Sequence, residues 1–514
     1  MRLHLNRRSL LAAGAGALAG CVSAPAAPAL EDPAADADLR TLVERLAERP
    51  RTARGFLLRR FDAAQLTPQG RILYDALLPG AEADAALARL PWGGAGLPYA
   101  VTHRYGAYRT AGDTREDNTP RIAARNVQRQ TNQLEADAAG GVIAPDFVLD
   151  ATIAAVGDAR TRVAAIEDHA AVAEALERQV ETLRELRARA PSEPGMWRLP
   201  GGDAFYAEVL QFQLGASVDA REAHQRAIER CRELHAEADV LLRGQGLARG
   251  DVGERLRALG QNPRYHYPVG DEGKARAVAD MNARLARTRA LLADVIEDAA
   301  AAPGEVQRLA ANLEARGAQG RRQGAVYYVD LGAVRPSWTL ASVVHHEVLP
   351  GHIYQAPYEG AAAPPALQLR YASGYSEGWS TYAEQLADEA GAFTDDPLGR
   401  IGYLQWMLFR MARVVADTGI HALRWSRERA IAEMRALQGE SIAFVSIEED
   451  VTRFCVQPGI YAAQGLAALH IAELRERMRR SARGFSLMRF HRAMLEHGPL
   501  SPPGLEQAAR AAFA

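Results

Sequence analysis

The chain has 514 residues, 48% of them hydrophobic and 24% charged, which supplies a large buried core and excludes a disordered or fibrous protein. Its 61 basic and 63 acidic residues leave a formal net charge of −2, so no global field draws it onto nucleic acid or an anionic membrane. Three cysteines exclude a disulfide framework, and stability must come from packing.

In chain order, residues 1–20 carry Arg2, Arg7 and Arg8 ahead of an apolar run of Leu, Ala and Gly too short to cross a bilayer, which reads as an export signal with a twin-arginine pair. Leu18-Ala19-Gly20-Cys21 matches a lipobox, predicting cleavage before Cys21, acylation of that cysteine, and a protein held on the periplasmic side by lipid alone. Residues 21–36, rich in Ala and Pro, read as a flexible tether. Cys231 and Cys455 are expected to be buried free thiols.

From residue 37 the chain is predicted to be mainly α, an N-terminal helical region 37–335 followed by a C-terminal helical region 336–514. Helices are expected at 169–190, at 217–243 with Gly244 as the stop, and at 271–301. Ala227, Cys231, Leu234, Ala238 and Leu241 mark a core-facing stripe on the second of these. The exception is Gly324-Ala-Val-Tyr-Tyr-Val-Asp330, which reads as an edge strand whose main chain, with Tyr327 and Tyr328, is suited to an extended peptide; a small structural hairpin is the alternative.

Just beyond it, His346-Glu347 is followed by Pro350-Gly351-His352. Imidazoles ligate zinc, and a neighbouring carboxylate can serve as general base toward a metal-activated water. Six residues of unbroken helix would separate the two histidines by about 120° around the cylinder. Pro350 and Gly351 are therefore expected to break the helix and swing His352 back toward His346. Glu377 is the expected third ligand, and Glu384, seven residues on and on the same helix face, the group that orients a ligating imidazole. Further on, His421 is a candidate donor to a developing oxyanion, Arg413 a receptor for a substrate carboxylate, and Asp417 a carboxylate supporting the site.

Five segments, Gly141-Val-Ile-Ala-Pro145, Leu199-Pro-Gly-Gly-Asp-Ala-Phe-Tyr206, His346-Glu-x-x-Pro-Gly-His352, Glu377-Gly-Trp-x-x-Tyr-Ala-Glu384 and Asp417-Thr-Gly-Ile-His421, resemble in order the bacterial family catalogued as domain of unknown function 885, a group of predicted metallopeptidases. That family is similar to the mostly helical zinc peptidases typified by angiotensin-converting enzyme and thimet oligopeptidase. The resemblance implies two helical lobes around a deep cleft, one zinc ion on His346, His352 and Glu377, Glu347 as general base, and short peptides as substrates. The chain departs from the pattern where Ile353 replaces a histidine and where Gln464 aligns with a family tyrosine, leaving Tyr461 as the candidate substitute. A metal-dependent amidase or esterase, or a peptide-binding lipoprotein without turnover, are the alternatives.

Overall fold

The computed structural model describes residues 31–514 apart from 95, 114, 116, 318, 334–335 and 440–444, so the signal segment and Cys21 lie outside the described residues. The chain is mainly α, with one small three-stranded sheet. The first helix, Pro33–Glu48, starts inside the segment expected to be a tether. Asp32 caps it by accepting from the Ala34 N–H, and the Asp36 carboxylate accepts from the Thr67 N–H at 3.1 Å, so residues 33–36 belong to the folded body.

The expected helices at 169–190 and 217–243 are present as Ala170–Arg187 and Ala220–Gly244. On the latter Ala227, Cys231, Leu234 and Ala238 are buried, with Leu242 rather than Leu241 completing the stripe. The helix from Asp271 stops at Leu291 instead of reaching 301, because the chain turns there to bury Leu292 and Ile296. Cys231 and Cys455 are buried free thiols.

Elements from the two sides of residue 335 pack on each other. Pro502–Ala512, near the C-terminus, packs on Pro68–Leu87, and Ser501 Oγ donates to the Ala76 carbonyl at 2.9 Å. The long helices Ala220–Gly244 and Pro397–Ala422 lie against each other across the same boundary. Among the described residues buried apolar side chains form three clusters, and Pro397–Ala422 crosses between two of them: Met407, Leu408 and Met411 belong to one, Ala412, Val414, Val415 and Ala416 to another. The third holds Val344, Val348, Trp379 and the sheet residues Tyr327 and Val329. These clusters fix the helices that carry the candidate site.

In the sheet, β1 (Glu305–Arg308), β2 (Arg321–Gln323) and β3 (Val326–Val329) run in the order β1-β3-β2. β3 pairs parallel with β1 and antiparallel with β2, so the strand expected at the edge is the central one and its main chain is already engaged. β2 is the outer strand beside it.

Candidate metal centre

The site starts from a helix that ends early. Val343–Glu347 is five residues long, and after a turn through Val348 to Gly351 the chain restarts as His352–Ala362. Trp379 pins the turn, its Nε1–H donating to the Pro350 carbonyl at 2.9 Å. At Gly351 there is no room for a side chain: an added Cβ would lie 1.8 Å from the His346 carbonyl oxygen. The expected break thus brings the rings of His346 and His352 to 4.9 Å between centroids.

Glu377 and Glu384 project from Tyr375–Glu389, which lies close against Ile460–Ser481; a Cβ on Gly378 would sit 2.6 Å from that of Ala467. Glu377 spans both imidazoles, with Oε2 3.4 Å from His346 Nε2 and Oε1 3.3 Å from His352 Nε2. One donor atom from each of the three residues lies within 4.8 Å of the other two. A tetrahedral shell with bonds of about 2.0–2.1 Å has edges of about 3.3–3.4 Å, which the carboxylate-to-imidazole separations match. His352 Nε2 is also buried without a hydrogen-bond partner, although Glu377 Oε1 lies 3.3 Å away. A buried lone pair beside a carboxylate is a donor set that fits zinc.

The outer ring nitrogens are fixed in the sense a metal needs. His346 Nδ1 is 3.0 Å from Glu384 Oε1, and the buried Glu384 takes a second hydrogen bond from Ser342 Oγ at 2.5 Å. His352 Nδ1 is 3.1 Å from Ser376 Oγ, whose own proton goes to Gln355 Oε1. In the neutral rings both Nδ1 atoms therefore carry the proton, which leaves both Nε2 atoms, facing Glu377, free to ligate.

Burial pushes the Glu377 carboxyl up, but the Arg410 charge and the two imidazoles outweigh it and hold it well below the usual range. Burial lowers His352. Burial and Arg410 push His346 down while Glu377 and Glu384 pull it up, to about 9. Arg410 NH2 lies 3.1 Å from His346 Nε2, and since a guanidinium can only donate, that contact is a hydrogen bond in the neutral form of the ring, the form a metal ligand takes. Arg410, Ser342 and Ser376 carry no role in the sequence reading. The signal for Arg410 was a lone cation in an apolar run, Met407-Leu-Phe-Arg-Met411.

Glu347 lies on the cleft side of this cluster, 18% exposed, with Oε2 2.5 Å from Arg322 NH1 on β2. The cleft is lined by His346, Glu347, Tyr327, Trp406 and Arg410 among others.

The family model described as "Bacterial protein of unknown function (DUF885)" matches residues 99–508. The chain belongs to the DUF885 family. Among solved structures, the DUF885 chain resembles "the putative lipoprotein from Colwellia psychrerythraea", with a TM-score of 0.69 and 22% identity over 93% of this chain and 99% of that one. It also resembles "a putative lipoprotein of unknown function from Shewanella oneidensis", with a TM-score of 0.66 and 16% identity over 92% of each. At these identities the likeness is one of fold. A search of curated proteins finds no match.

The segments that resemble DUF885 fall in different places. Those around His346 and Glu377 build the candidate metal centre. Those around Tyr206 and Asp417 meet instead in a buried polar node, where the Tyr206 hydroxyl donates to Asp417 Oδ1 at 2.7 Å and the Gly459 N–H donates to Oδ2 at 3.0 Å. His421 completes the node: the Met196 N–H donates to its Nδ1, so Nε2–H donates to the Phe454 carbonyl, each at 3.1 Å. Both ring nitrogens are used on backbone, burial lowers the imidazole to about 3, and eleven residues of helix, about 16 Å, separate it from Arg410. His421 is therefore not an oxyanion donor, and Asp417 does not support the metal centre.

Arg413 is closed to a substrate as well. It is buried and held by both oxygens of Asp450, at 2.7 and 3.0 Å, between the rings of Phe409 and Tyr461. Tyr461 packs on that guanidinium, and neither residue lines the cleft. Of the two strand tyrosines Tyr327 lines it, whereas Tyr328 points to the other face of β3 beneath Arg321.

Asp417 yields a pH prediction. Burial raises its carboxyl from 3.8 to about 7, against the hydrogen bonds from Tyr206 and Gly459. The folded state then binds the proton more tightly than the unfolded one, so this contribution is full below about pH 4 and is lost as pH rises to about 7. Asp417→Asn, which has no proton to lose, is expected to gain stability relative to wild type over that window by a few kcal/mol, each tenfold difference in proton affinity corresponding to about 1.4 kcal/mol. Urea unfolding of both proteins at the two ends of the window checks it; an unchanged difference would show that Asp417 folds as a carboxylate.

Proposed function

We propose that this DUF885 protein is a zinc-dependent metallopeptidase acting on short peptides. The observation that carries the reading is the convergence of one donor atom each from His346, His352 and Glu377 within 4.8 Å, beside the carboxylate of Glu347 in a cleft. When bound, zinc would act as a Lewis acid toward the scissile carbonyl and raise the acidity of water. Glu347 is placed to take the proton of the attacking water and to return it to the leaving amine. Arg322 holds that carboxylate from the β2 side, and Glu384 and Ser376 hold the imidazoles in one tautomer and orientation. β2, the outer strand, is suited to carry the main chain of an extended substrate, the role expected of β3.

Acylation of Cys21 would attach the protein to a membrane on the periplasmic side. The lipobox and the names of the two structural neighbours support this, and among the described residues no helix is long and apolar enough to cross a bilayer.

The test is metal analysis of purified protein together with mass-spectrometric profiling of a mixed peptide library. About one zinc per chain and cleavage of peptide bonds are expected, both lost in His346→Ala with the fold intact by circular dichroism. Equal zinc content in wild type and His346→Ala would overturn the metal assignment. A zinc-loaded protein that cleaves esters or non-peptide amides but no peptides would overturn the substrate class.

A further inference from the structure

We infer that Arg410 is a catalytic residue, the cation that receives the reacting carbonyl oxygen of the substrate, an inference that rests on the peptidase reading above. The cleft needs such a donor, and the structure removes His421, Arg413 and Tyr461 from that position. Arg410 occupies it. It is 9% exposed, lines the cleft with Trp406 one turn earlier on the same helix, and reaches His346 Nε2 at 3.1 Å and Glu377 Oε2 at 3.3 Å.

Its hydrogen bonding is incomplete in a way that Arg413's is not. Arg413 is held through Nε and NH2 by both oxygens of Asp450, whereas among the described residues Glu377 is the carboxylate within ion-pair distance of Arg410, and Arg410 Nε is buried without a partner. A buried guanidinium N–H with no acceptor, next to the reacting groups, is satisfied by an oxygen that arrives with the substrate. The NH2 group lies 3.1 Å from His346 Nε2, the atom that would ligate a metal, so the two uses of that nitrogen exclude each other and, with a metal held there, NH2 would be available to an oxygen in the cleft.

In the hydrolysis, the water oxygen bonds to the carbonyl carbon and the carbonyl electrons move onto oxygen. The C–N bond then breaks, and the proton Glu347 took from water goes to the departing nitrogen. Negative charge on that oxygen is largest between these steps, where a fixed positive charge in a partly buried pocket has the greatest effect.

The experiment compares Arg410→Gln and Arg410→Lys with wild type in the full chain. Zinc affinity is measured by chelator competition, kcat and KM separately on a peptide the wild type cleaves, and inhibition by a phosphinic peptide, whose anionic tetrahedral phosphorus mimics the charged state. Arg410→Gln is expected to bind zinc as tightly as wild type or about tenfold tighter, since a like charge has been removed. It should lose about 10²- to 10³-fold in kcat with KM nearly unchanged, and lose phosphinate affinity in step with kcat/KM. Arg410→Lys, which keeps the charge, should recover part of both losses and serves as the test if the Gln variant does not fold. Turnover within about threefold of wild type in a zinc-loaded Gln variant, or a fall in kcat in the Lys variant with no fall in phosphinate affinity, would overturn the inference while leaving the peptidase reading intact. A tenfold fall in zinc affinity would overturn it in favour of a role holding Glu377. A wild type that holds zinc and cleaves no peptide would instead bring down the peptidase reading.

Discussion

Glu347→Gln is expected to lower peptide turnover by about two to four orders of magnitude while zinc content and fold stay as in wild type. Glu347 adjoins His346 in sequence, but its carboxylate faces the cleft and is not among the atoms that converge with His346, His352 and Glu377. Glutamine has nearly the same shape and cannot hold a proton, so the change removes the base and little else. Its ion pair with Arg322 becomes a neutral hydrogen bond; Arg322 is 40% exposed in its side chain, and such partly solvated pairs contribute on the order of 1 kcal/mol or less. Steady-state kinetics beside metal analysis read the two quantities separately. A Gln variant within about tenfold of wild-type turnover would place the base elsewhere, and one that loses zinc would make Glu347 a ligand.

The convergence of His346, His352 and Glu377 was legible because these residues obey local rules. Six residues of helix cannot bring two imidazoles together, so Pro350-Gly351 had to mark a break, and Glu377 and Glu384 stand two turns apart on one face. Where the outcome depended on remote partners, residue type misled. Arg413, Asp417 and His421 have the chemistry of an active site, but Asp450, Tyr206 and Phe454, each more than 30 positions away, complete their hydrogen bonds. β3 read as an edge because its neighbours, Glu-Val-Gln-Arg and Arg-Arg-Gln, lack the alternation that announces a strand. Arg410 escaped notice because its helix is apolar on nearly every face, which hides which side meets a cleft. The expected boundary at residue 335 rested on where the motifs begin, and helices from its two sides pack on each other.

Gly351→Ala is expected to abolish zinc binding and peptidase activity together, although it adds one methyl group at a residue that ligates nothing. The effect is steric, set by the backbone atoms that an added Cβ would meet. The added Cβ would lie 1.8 Å from the His346 carbonyl oxygen, 2.4 Å from its carbonyl carbon and 2.5 Å from the His345 carbonyl oxygen. All three are backbone atoms of the short helix that carries the first ligand, so no side-chain rotation relieves the clash. Restoring an ordinary contact of about 3.4 Å means moving the start of His352–Ala362 away from Val343–Glu347 by more than about 1 Å. Metal ligands tolerate distance errors of only about 0.2 Å, so that shift opens the spacing between His346, His352 and Glu377 beyond what one ion can bridge. The expected loss in zinc affinity is on the order of 10²-fold or more, larger than that for removing a supporting group such as Glu384. The Trp379 hydrogen bond to Pro350 and the apolar cluster beneath it should keep the rest of the fold, so the circular dichroism spectrum is expected to stay close to wild type while chelator competition shows the site gone. A Gly351→Ala protein that holds zinc as tightly as wild type would mean that the approach of residue 351 to the His346 carbonyl does not set the distance between the two imidazoles.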